Sequence, residues 1–305
     1  MKRRALRVSG KGRTLGEFVA QQLELPAAEA EALVGAGSVY VGGKRASRPE
    51  LALADGASVV VVLEEGGRSG LAPGPAAAPL VILFEDDQLV AVAKPAGITA
   101  QPTEARQGDS LLDLVSARLG FGAGLVHRLD RETSGVTVFG KTPEATSGLA
   151  AQFREGTAKK RYLAVAGPGL PGSGTIDLPI SKDPSRPGRY RASRTANGIP
   201  ALTHFRVLHA APDHTLVELL PQTGRTHQLR AHLTALGAPI AGDERYGGAR
   251  TLGAEPITRC LLHAQALQLT HPLTGAPLLL EAPVPEDLAR FFAAAKVALL
   301  AGPMA

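Results

Sequence analysis

Hydrophobic and polar positions follow two spacings along this chain, one typical of helices and one typical of strands. Apolar residues three or four positions apart predict helices near residues 15–23, 26–34, 110–119, 143–155, 227–236 and 291–300. Short apolar or alternating runs predict strands near residues 38–41, 57–63, 81–84, 89–92, 136–139, 161–165, 202–208 and 215–220. Because the two kinds of element do not alternate regularly, we predict an α+β fold with a largely antiparallel or mixed central sheet.

Residues that start and stop helices support several of these assignments. Thr14 stands where the first helix needs an N-cap. Thr142 is followed by a proline at the first helical position, and Gly156 ends the same helix. Thr226 is the predicted N-cap of the helix that Gly237 ends.

Composition divides the chain into four segments. Residues 1–13 form a basic N-terminal tail, and residues 14–64 have the helix, helix, strand pattern of a small separate module. Residues 65–79 are rich in Gly, Pro and Ala, as expected of a flexible linker. Residues 80–300 hold the remaining elements and are long enough for one large domain.

Composition also limits the classes of protein to consider. The one cysteine, Cys260, excludes a disulfide framework and a zinc–thiolate site, and suits a reducing compartment. No apolar run approaches the ~18 residues of a membrane span, and the basic N-terminus lacks the apolar segment of a secretory signal. The histidines show no ligand pair with metal-site spacing. We therefore expect a cytoplasmic, monomeric protein that needs no metal and has no membrane partner.

Positive charge is concentrated in two places. The chain has a net charge of +5 and a pI of about 9.5. Residues 1–13 carry six basic groups and no acid. A loop rich in Pro, Gly and Ser has no acid between residues 184 and 198 but carries four arginines, Arg186, Arg189, Arg191 and Arg194. Arginine suits bidentate phosphate contacts, so this loop favours a polyanionic partner over a merely solvated hairpin.

One motif points to a different chemistry. Residues 135–142 match the pattern G-x-x-x-x-G-K-[ST] of nucleotide-binding phosphate loops. Their interior, Val136–Phe139, is a β-branched and aromatic run that favours a strand, whereas a phosphate loop must curl so that its N–H groups face the phosphate. We therefore keep an NTPase, in which Lys141 would bind the nucleotide, only as a minor alternative.

Residues 127–135, His-Arg-Leu-Asp-Arg-Glu-Thr-Ser-Gly, carry the most specific chemical information. Asp130 stands between Arg128 and Arg131 on a predicted turn between two apolar runs. A carboxylate in such a place would be ionised and aimed, as a nucleophile or base acting on a polyanion requires. Ordinary turn chemistry is the alternative, because Asp, Ser, Thr and Gly all favour turns.

This string resembles the HRLD-x-x-TSG signature of the RluA-type RNA pseudouridine synthases, and each fixed position is present. Other segments of this chain resemble further motifs of that family and follow one another in the family's order. The resemblance therefore covers roughly residues 80–285. These segments are Lys-Pro-Ala-Gly at 94–97, Lys-Lys-Arg-Tyr-Leu-Ala-Val at 159–165, Thr-Gly-Arg-Thr-His-Gln-Leu-Arg at 223–230, Gly-Asp-x-x-Tyr-Gly at 242–247, and two segments between 260 and 275. Gln101 stands where the family often has a histidine, so no role of that histidine carries over.

The resemblance implies a fold with a cleft across the centre of a mixed sheet and no cofactor. Asp130 would act at the ribose, by attack on C1′ or by removal of the C2′ proton, and Arg225 is the best candidate for the arginine that keeps it ionised. Tyr162 would pack on the uracil and take the C5 proton. The target nucleotide would be extruded from its helix to reach the cleft. Arg128 would contact phosphate or fill the space that the extruded base leaves in the stack. Further substrate contacts are assigned to Lys94, His127, Thr133, His227, Gln228, Arg186, Arg189, Arg191 and Arg194.

Residues 14–64 resemble the S4 RNA-binding module that commonly precedes these synthases. The similarity rests on two helices followed by the segment Val-Tyr-Val-Gly-Gly-Lys at 39–44 and further strands. Residues 14–66 carry eight acids and only three bases. This balance disfavours phosphate binding unless the three bases and the basic tail share one face.

The predicted partner is structured RNA, with large-subunit ribosomal RNA favoured over tRNA. A non-catalytic RNA-binding or ribosome-assembly protein with the same fold is the second hypothesis. It predicts substitution at Asp130, Tyr162 or Arg225, and all three family residues are present.

Overall fold

The computed structural model describes residues 2–8, 12–35, 39–41, 44–46, 48–63, 80–102, 110–194 and 197–295. The predicted linker at 65–79 and the second half of the predicted helix at 291–300 lie outside these ranges. The chain divides into two compact units, Met1–Ala78 with Gln101–Leu114, and Pro79–Ala100 with Val115–Ala305. No helix in the described part of the chain is long and apolar enough to cross a bilayer.

The first unit packs two helices on a four-stranded antiparallel sheet of order β1-β4-β2-β3. Its elements are β1 Lys2–Arg7, α1 Leu15–Leu23, α2 Ala27–Gly35, β2 Val39–Val41, β3 Lys44–Ala46 and β4 Ser58–Leu63. Thr14 and Glu17 form a reciprocal capping box at the start of α1, which confirms the predicted N-cap. The basic tail was expected to lie outside this module, but Lys2–Arg7 pair with β4 along their whole length.

The second unit is built on a ten-stranded mixed sheet. The remaining strands of the chain are β5 Val81–Glu85, β6 Leu89–Lys94, β7 Gly124–Leu125, β8 Ser134–Gly140, β9 Lys159–Ala166, β10 Ser173–Asp177, β11 Ile180–Lys182, β12 Tyr190–Ala192, β13 Leu202–Ala210, β14 Thr215–Pro221, β15 Thr251–Leu252, β16 Glu255–Pro256, β17 Leu262–Thr270 and β18 Pro277–Glu281. The remaining helices are α3 Leu111–Leu119, α4 Pro143–Glu155, α5 Gln228–Ala235 and α6 Glu286–Ala294.

The main path of the sheet runs β10-β13-β14-β9-β17-β8-β6-β5, with β7 paired to β8 and β18 paired to β17. Neighbouring strands are antiparallel except β8 and β17, which are parallel. This mixed sheet confirms the predicted α+β class. Residues 136–139 form the middle of β8 and pair with β6, so the string that matches a phosphate loop is a strand.

Alternate residues of β9 enter two different cores. Ala164 and Ala166 face Leu229 and Leu233 of α5, whereas Leu163 and Val165 lie in a cluster with three apolar residues of α6, Leu288, Phe291 and Phe292. Because side chains alternate across a strand, α5 and α6 cover opposite faces of the sheet centre. Tyr162 of β9 therefore belongs to the face that carries α5.

Two helix boundaries differ from the prediction. Helix α5 begins at Gln228, and its N-cap is His227 in the left-handed conformation, not Thr226. Helix α6 begins at Glu286, ahead of the predicted residues 291–300, because Leu288 of its first turn already packs in the core.

Candidate active site

Asp130 lies on a turn between β7 and β8 that is tied to the segment following β6. The backbone N–H of Thr133 donates to the carbonyl of Asp130 at 3.1 Å, which closes the turn. Gly97 N–H donates to the carbonyl of Arg131 at 2.8 Å, and the Arg131 Nε donates back to the Gly97 carbonyl at 2.9 Å. The residues of the Lys-Pro-Ala-Gly motif thus hold the loop that presents Asp130.

Lys94 completes this tie, and so is not the substrate contact that the sequence predicted. Its side chain is 1% exposed, and its Nζ donates to the carbonyls of Pro95 at 2.9 Å, Ile98 at 3.0 Å and Arg131 at 3.1 Å. An ammonium group has three N–H donors, so all of them are used. Burial lowers the pKa of Lys94 to about 7.

A single arginine joins Asp130 to a second, buried carboxylate. Arg230 donates through Nε and Nη2 to the two oxygens of Asp243, at 2.6 and 2.8 Å, and through Nη1 to Oδ2 of Asp130 at 3.0 Å. Asp243 is only 2% exposed. Burial alone would lower the pKa of Arg230, but the hydrogen bonds and charge of Asp243 and the charge of Asp130 raise it. The guanidinium therefore stays charged and fixed beside Asp130.

This position was assigned to Arg225 in the sequence analysis, and the structure corrects the assignment. The Arg225 side chain is exposed, and its Nε donates to the carbonyl of Pro200 at 3.1 Å. Arg225 lines the same cleft as Asp130, but the arginine that contacts the carboxylate is Arg230.

The cleft across β9 and β14 has a strongly cationic wall. Its lining includes Asp130 as its one carboxylate together with four cations, Arg128, Lys160, Arg225 and Arg230. Burial lowers the pKa of Lys160, and the charge of Arg225 lowers it further. The Lys160 Nζ donates to the carbonyl of Thr223 at 3.3 Å. Such a cleft suits a polyanion whose backbone is held by cations while one carboxylate faces the bound group.

Tyr162 projects into this cleft from the centre of β9, next to Lys160 in the lining. Burial raises the pKa of the Tyr162 phenol, and the nearby charge of Asp130 raises it further. The ring is therefore a neutral, partly exposed aromatic surface close to the carboxylate.

His227 is the second group beside Asp130. Its Nε2 lies 3.9 Å from Oδ2 of Asp130, and its Nδ1 lies 3.1 Å from the hydroxyl of Tyr246. Tyr246 is 4% exposed, and the guanidinium carbons of Arg189 and Arg230 lie 5.0 and 4.9 Å from its ring centroid. The predicted contact residue His227 is thus placed in the cleft, and Tyr246 supports it from behind.

Two other predicted substrate contacts have structural roles. Gln228 is buried; its Oε1 accepts from Thr223 and from the Arg225 N–H, and its Nε2 donates to Leu202 and Thr203. Gln228 lines the cleft, but its Oε1 and Nε2 are hydrogen-bonded inside the protein, where they shape the turn before α5.

His127 also faces the protein interior. Its Nε2 accepts the Val138 N–H at 3.1 Å, and its ring stacks on Phe153 with centroids 4.3 Å apart. Burial lowers the pKa of His127 to about 3, so the ring is neutral. It supports the Asp130 loop from below, whereas its neighbour Arg128 is exposed and lines the cleft. Thr133 is 2% exposed and also lies in the cleft wall.

The predicted basic loop is a two-stranded hairpin, β11 paired with β12. Arg186, Arg191 and Arg194 are exposed on it. Arg189 is less available to a ligand than these three arginines, because its Nε lies 3.6 Å from Asp183 and its guanidinium lies over the Tyr246 ring. Three of the four predicted arginines therefore remain open to solvent.

No role at the site was predicted from the sequence for Arg230, Asp243, Tyr246 or Lys160. Arg230 ends the motif at 223–230, and Asp243 and Tyr246 stand in the motif at 242–247. Lys160 stands two positions before Tyr162 on the same face of β9. The signal was present as motif membership, but contacts between distant segments decide which member of a motif reaches the cleft.

Known proteins with similar sequences place the chain in a family. Residues 88–235 match the family model described as RNA pseudouridylate synthase. The chain is 42% identical over 226 residues to the ribosomal large subunit pseudouridine synthase D of Nitrosomonas europaea, covering 70% of this chain and 64% of that protein. It is 38% identical to the protein of the same name from Xanthomonas campestris pv. campestris, covering 71% of this chain and 69% of that protein.

Two further matches extend this result. The dual-specificity RNA pseudouridine synthase RluA of Escherichia coli is 42% identical over 208 residues, covering 67% of this chain and 93% of that protein. The solved structure of human RNA pseudouridylate synthase domain containing 4 has a TM-score of 0.59 at 28% identity, covering 72% of this chain and 94% of that one. This chain belongs to the RluA-type family of RNA pseudouridine synthases.

Proposed function

We propose that this protein isomerises uridine to pseudouridine in structured RNA, with large-subunit ribosomal RNA as the favoured substrate. The observation that carries the proposal is the placement of Asp130. Its Oδ2 is held by Arg230 at 3.0 Å in a cleft whose other lining charges are cations, beside the ring of Tyr162.

The reaction breaks the N1–C1′ bond of a uridine, turns the uracil in place, and joins C5 to C1′. The C5 proton is lost and N1 gains a proton, so atoms and electrons balance without an external oxidant or reductant. Three groups are needed: a carboxylate at the ribose, a cation that keeps it ionised, and a surface that holds the detached uracil.

Asp130 supplies the carboxylate, by attack on C1′ or by removal of the C2′ proton. Arg230 replaces Arg225 as the cation in this proposal, because its guanidinium makes the contact with Asp130. A charged guanidinium donor this close fixes the orientation of the carboxylate.

Tyr162 supplies the surface for the uracil. The family resemblance implies a second task for the same residue, removal of the C5 proton. Burial raises the pKa of its phenol, so the phenolate needed for that task is disfavoured. We therefore retain the packing role of Tyr162 and leave the base unassigned.

The RNA would approach along the cationic wall of the cleft. A target inside a helix must leave its stack to reach Asp130. Arg128 is exposed at the cleft and next but one to Asp130 in the chain, so its guanidinium can contact phosphate or occupy the vacated stack. The exposed arginines Arg186, Arg191 and Arg194 provide further phosphate contacts.

The names of two relatives favour ribosomal RNA, since both act by name on the large ribosomal subunit. We keep tRNA as the alternative substrate, because a third relative is named a dual-specificity RNA pseudouridine synthase and that name is not limited to ribosomal RNA. We also propose that residues 14–64 act as an S4-like RNA-binding module in addition to the catalytic domain at 80–300, and that the protein works as a cytoplasmic monomer.

Release of tritium from RNA labelled at uridine C5 tests the activity. We expect release by the wild type from transcribed large-subunit ribosomal RNA, and at least about 10³-fold slower release by Asp130→Asn, which keeps the size of the side chain but removes its charge. Asp87→Asn, on an exposed turn, is the matched control and should behave as wild type.

The same assay on a tRNA pool separates the two substrates. Release from tRNA alone would replace ribosomal RNA by tRNA in the proposal. Release from neither RNA would contradict the proposed reaction. Undiminished release by Asp130→Asn would contradict the role of Asp130.

A further inference from the structure

A chain of polar contacts leads from the basic hairpin to Asp130. The backbone N–H of Tyr190, the first residue of β12, donates to the Tyr246 hydroxyl at 2.9 Å. That hydroxyl lies 3.1 Å from Nδ1 of His227, and Nε2 of His227 lies 3.9 Å from Oδ2 of Asp130. These four groups come from three distant parts of the sequence, and the last of them is the proposed catalytic carboxylate.

The contact between Tyr190 and Tyr246 determines which groups donate and which accept in the other contacts. A backbone N–H can only donate, so the Tyr246 oxygen accepts from Tyr190 and its own O–H is free to donate to Nδ1 of His227. In the neutral imidazole the proton then resides on Nε2, which faces the Asp130 carboxylate. The opposite tautomer would point a lone pair at that carboxylate. The arrangement therefore favours an Nε2–H aimed at Asp130.

The environment keeps His227 neutral, so that the choice of tautomer matters. Burial lowers the pKa of His227, and the charges of Arg230 and Arg245 lower it further against the opposing charges of Asp130 and Asp243. The side chain is 16% exposed.

The backbone at His227 supports a positional role. His227 is one of the two non-glycine residues with positive φ among the described residues, with φ 56° and ψ 21°, and it occupies the N-cap of α5 without making a side-chain cap hydrogen bond. Left-handed backbone is unfavourable for most side chains and persists where the surroundings impose it. Here it directs the imidazole towards Asp130 and Tyr246 instead of towards the helix N-terminus.

The two oxygens of Asp130 have different surroundings. Oδ2 receives the Arg230 hydrogen bond and faces His227. Among the residues that the structure describes, none hydrogen-bonds to Oδ1. A second donor on Oδ2 would stop the carboxylate from rotating and keep Oδ1 directed at the ribose. Hydrogen bonds of this kind are often long before substrate binds and shorten in the complex.

We propose that His227 is a positioning residue for Asp130, with its Nε2–H as the second donor to Oδ2 and its tautomer set by the Tyr246 hydroxyl. The inference rests on the proposed catalytic role of Asp130. This role of His227 would also connect the basic hairpin to the reaction, because the Tyr190 N–H that donates to the Tyr246 hydroxyl belongs to that hairpin.

Two substitutions at His227 separate positioning from mere packing. In His227→Gln the amide can place an N–H near the position of Nε2, whereas in His227→Asn the shorter amide reaches only the position of Nδ1. Asparagine also tolerates left-handed backbone well, so backbone strain does not explain a loss in that variant. Both are measured by tritium release from C5-labelled RNA, as single-turnover rate against enzyme concentration.

We expect His227→Asn to lower the maximal single-turnover rate by about 10- to 100-fold, with little change in the enzyme concentration that gives half of it. His227→Gln should recover at least a third of the wild-type rate, and the thermal unfolding midpoints of the two variants should agree. Equal rates for the two variants, or a loss confined to RNA affinity, would overturn the proposal.

Tyr246→Phe tests the tautomer directly, since it removes the hydroxyl and keeps the ring that Arg189 and Arg230 contact. We expect a slower maximal rate in the wild-type background and no further loss in the His227→Asn background, because both changes break the same link. If the rate losses of Tyr246→Phe and His227→Asn multiplied in the double variant, the link between the two residues would be contradicted. If the wild type itself releases no tritium, the proposed reaction fails and not this inference about positioning.

Discussion

At the scale of single residues, two arginines of one short motif have different tasks. Arg230 is 9% exposed and contacts both Asp243 and Asp130, whereas Arg225 is exposed and its Nε donates to the carbonyl of Pro200. Arg225 precedes α5, whereas Arg230 lies in the first turn of that helix and is buried. Residue type alone does not distinguish the two arginines, because both could pair with a carboxylate.

Arg230→Lys should lower kcat by about 100-fold, because an ammonium cannot bridge the Asp243 and Asp130 carboxylates with the fixed fork of a guanidinium. Lysine keeps a positive charge next to buried Asp243, which avoids the about 3–5 kcal/mol cost of leaving such a charge unpaired. Arg225→Gln should instead raise KM, since that side chain faces the cleft without contacting Asp130. Steady-state tritium release measures both effects, and a larger kcat loss in Arg225→Gln would reverse the assignment.

At the scale of elements, the Asp130 loop depends on the parallel pairing of β8 with β17. The pairing joins Ser134 to His263 and Gly135 to Ala264, directly after the loop. Gly135 has φ 125°, and a Cβ there would lie 2.1 Å from the carbonyl oxygen of Ala264. Only glycine permits this close approach of the two backbones. Gly135, the last residue of the segment that carries Asp130, is therefore also required for the pairing of β8 with β17.

Gly135→Ala should therefore destabilise the protein by at least about 3 kcal/mol, because β8 or β17 must move to accept the new methyl group. Gly122→Ala is the matched control, since a Cβ at Gly122 meets no atom within 4 Å and its φ is not positive. Denaturant unfolding of both variants measures the difference. A stability for Gly135→Ala close to that of Gly122→Ala would show that the strand pairing does not need the glycine.

At the scale of the whole molecule, the distribution of charge matters more than its sum. The net charge of +5 is modest. Some exposed arginines are matched by acids, as in the pairs of Arg154 with Glu155 and Arg250 with Glu244. The hairpin arginines Arg186, Arg191 and Arg194 stand exposed in a segment with little acid, and so contribute more to binding a polyanion.

Changing Arg186, Arg191 and Arg194 together to glutamine should weaken RNA binding and flatten its salt dependence. About three lost phosphate contacts correspond to a change of about 2 to 3 in the slope of log K against log salt. The single-turnover rate at saturating enzyme should change little, because none of the three lines the cleft. A triple change of Arg154, Arg250 and Arg290 removes the same charge from acid-paired sites, and an equal effect on the slope would contradict a specific role of the hairpin.

Much of the fold could be predicted because it depends on local patterns. Capping residues and apolar spacing located α1 and α4 to within a residue, and β-branched runs located β4, β8 and β14. Strand β1 was missed because its sequence is dominated by basic residues and pairs with β4 far along the chain. Strand β17 was missed because its apolar residues are interrupted by His263 and Gln265, which the sheet buries.

The sequence by itself determined the α+β class, the turn that presents Asp130 and the residue types available around it, because these depend on short-range spacing and turn preferences. Tertiary structure decided which of those residues reach the cleft. Lys94, His127 and Gln228 hydrogen-bond to other groups of the protein, whereas Arg230 and His227 face Asp130. The physical reason is that a polar side chain takes its partner from whatever the fold brings near it, and here those partners lie as far as 100 residues away in the chain.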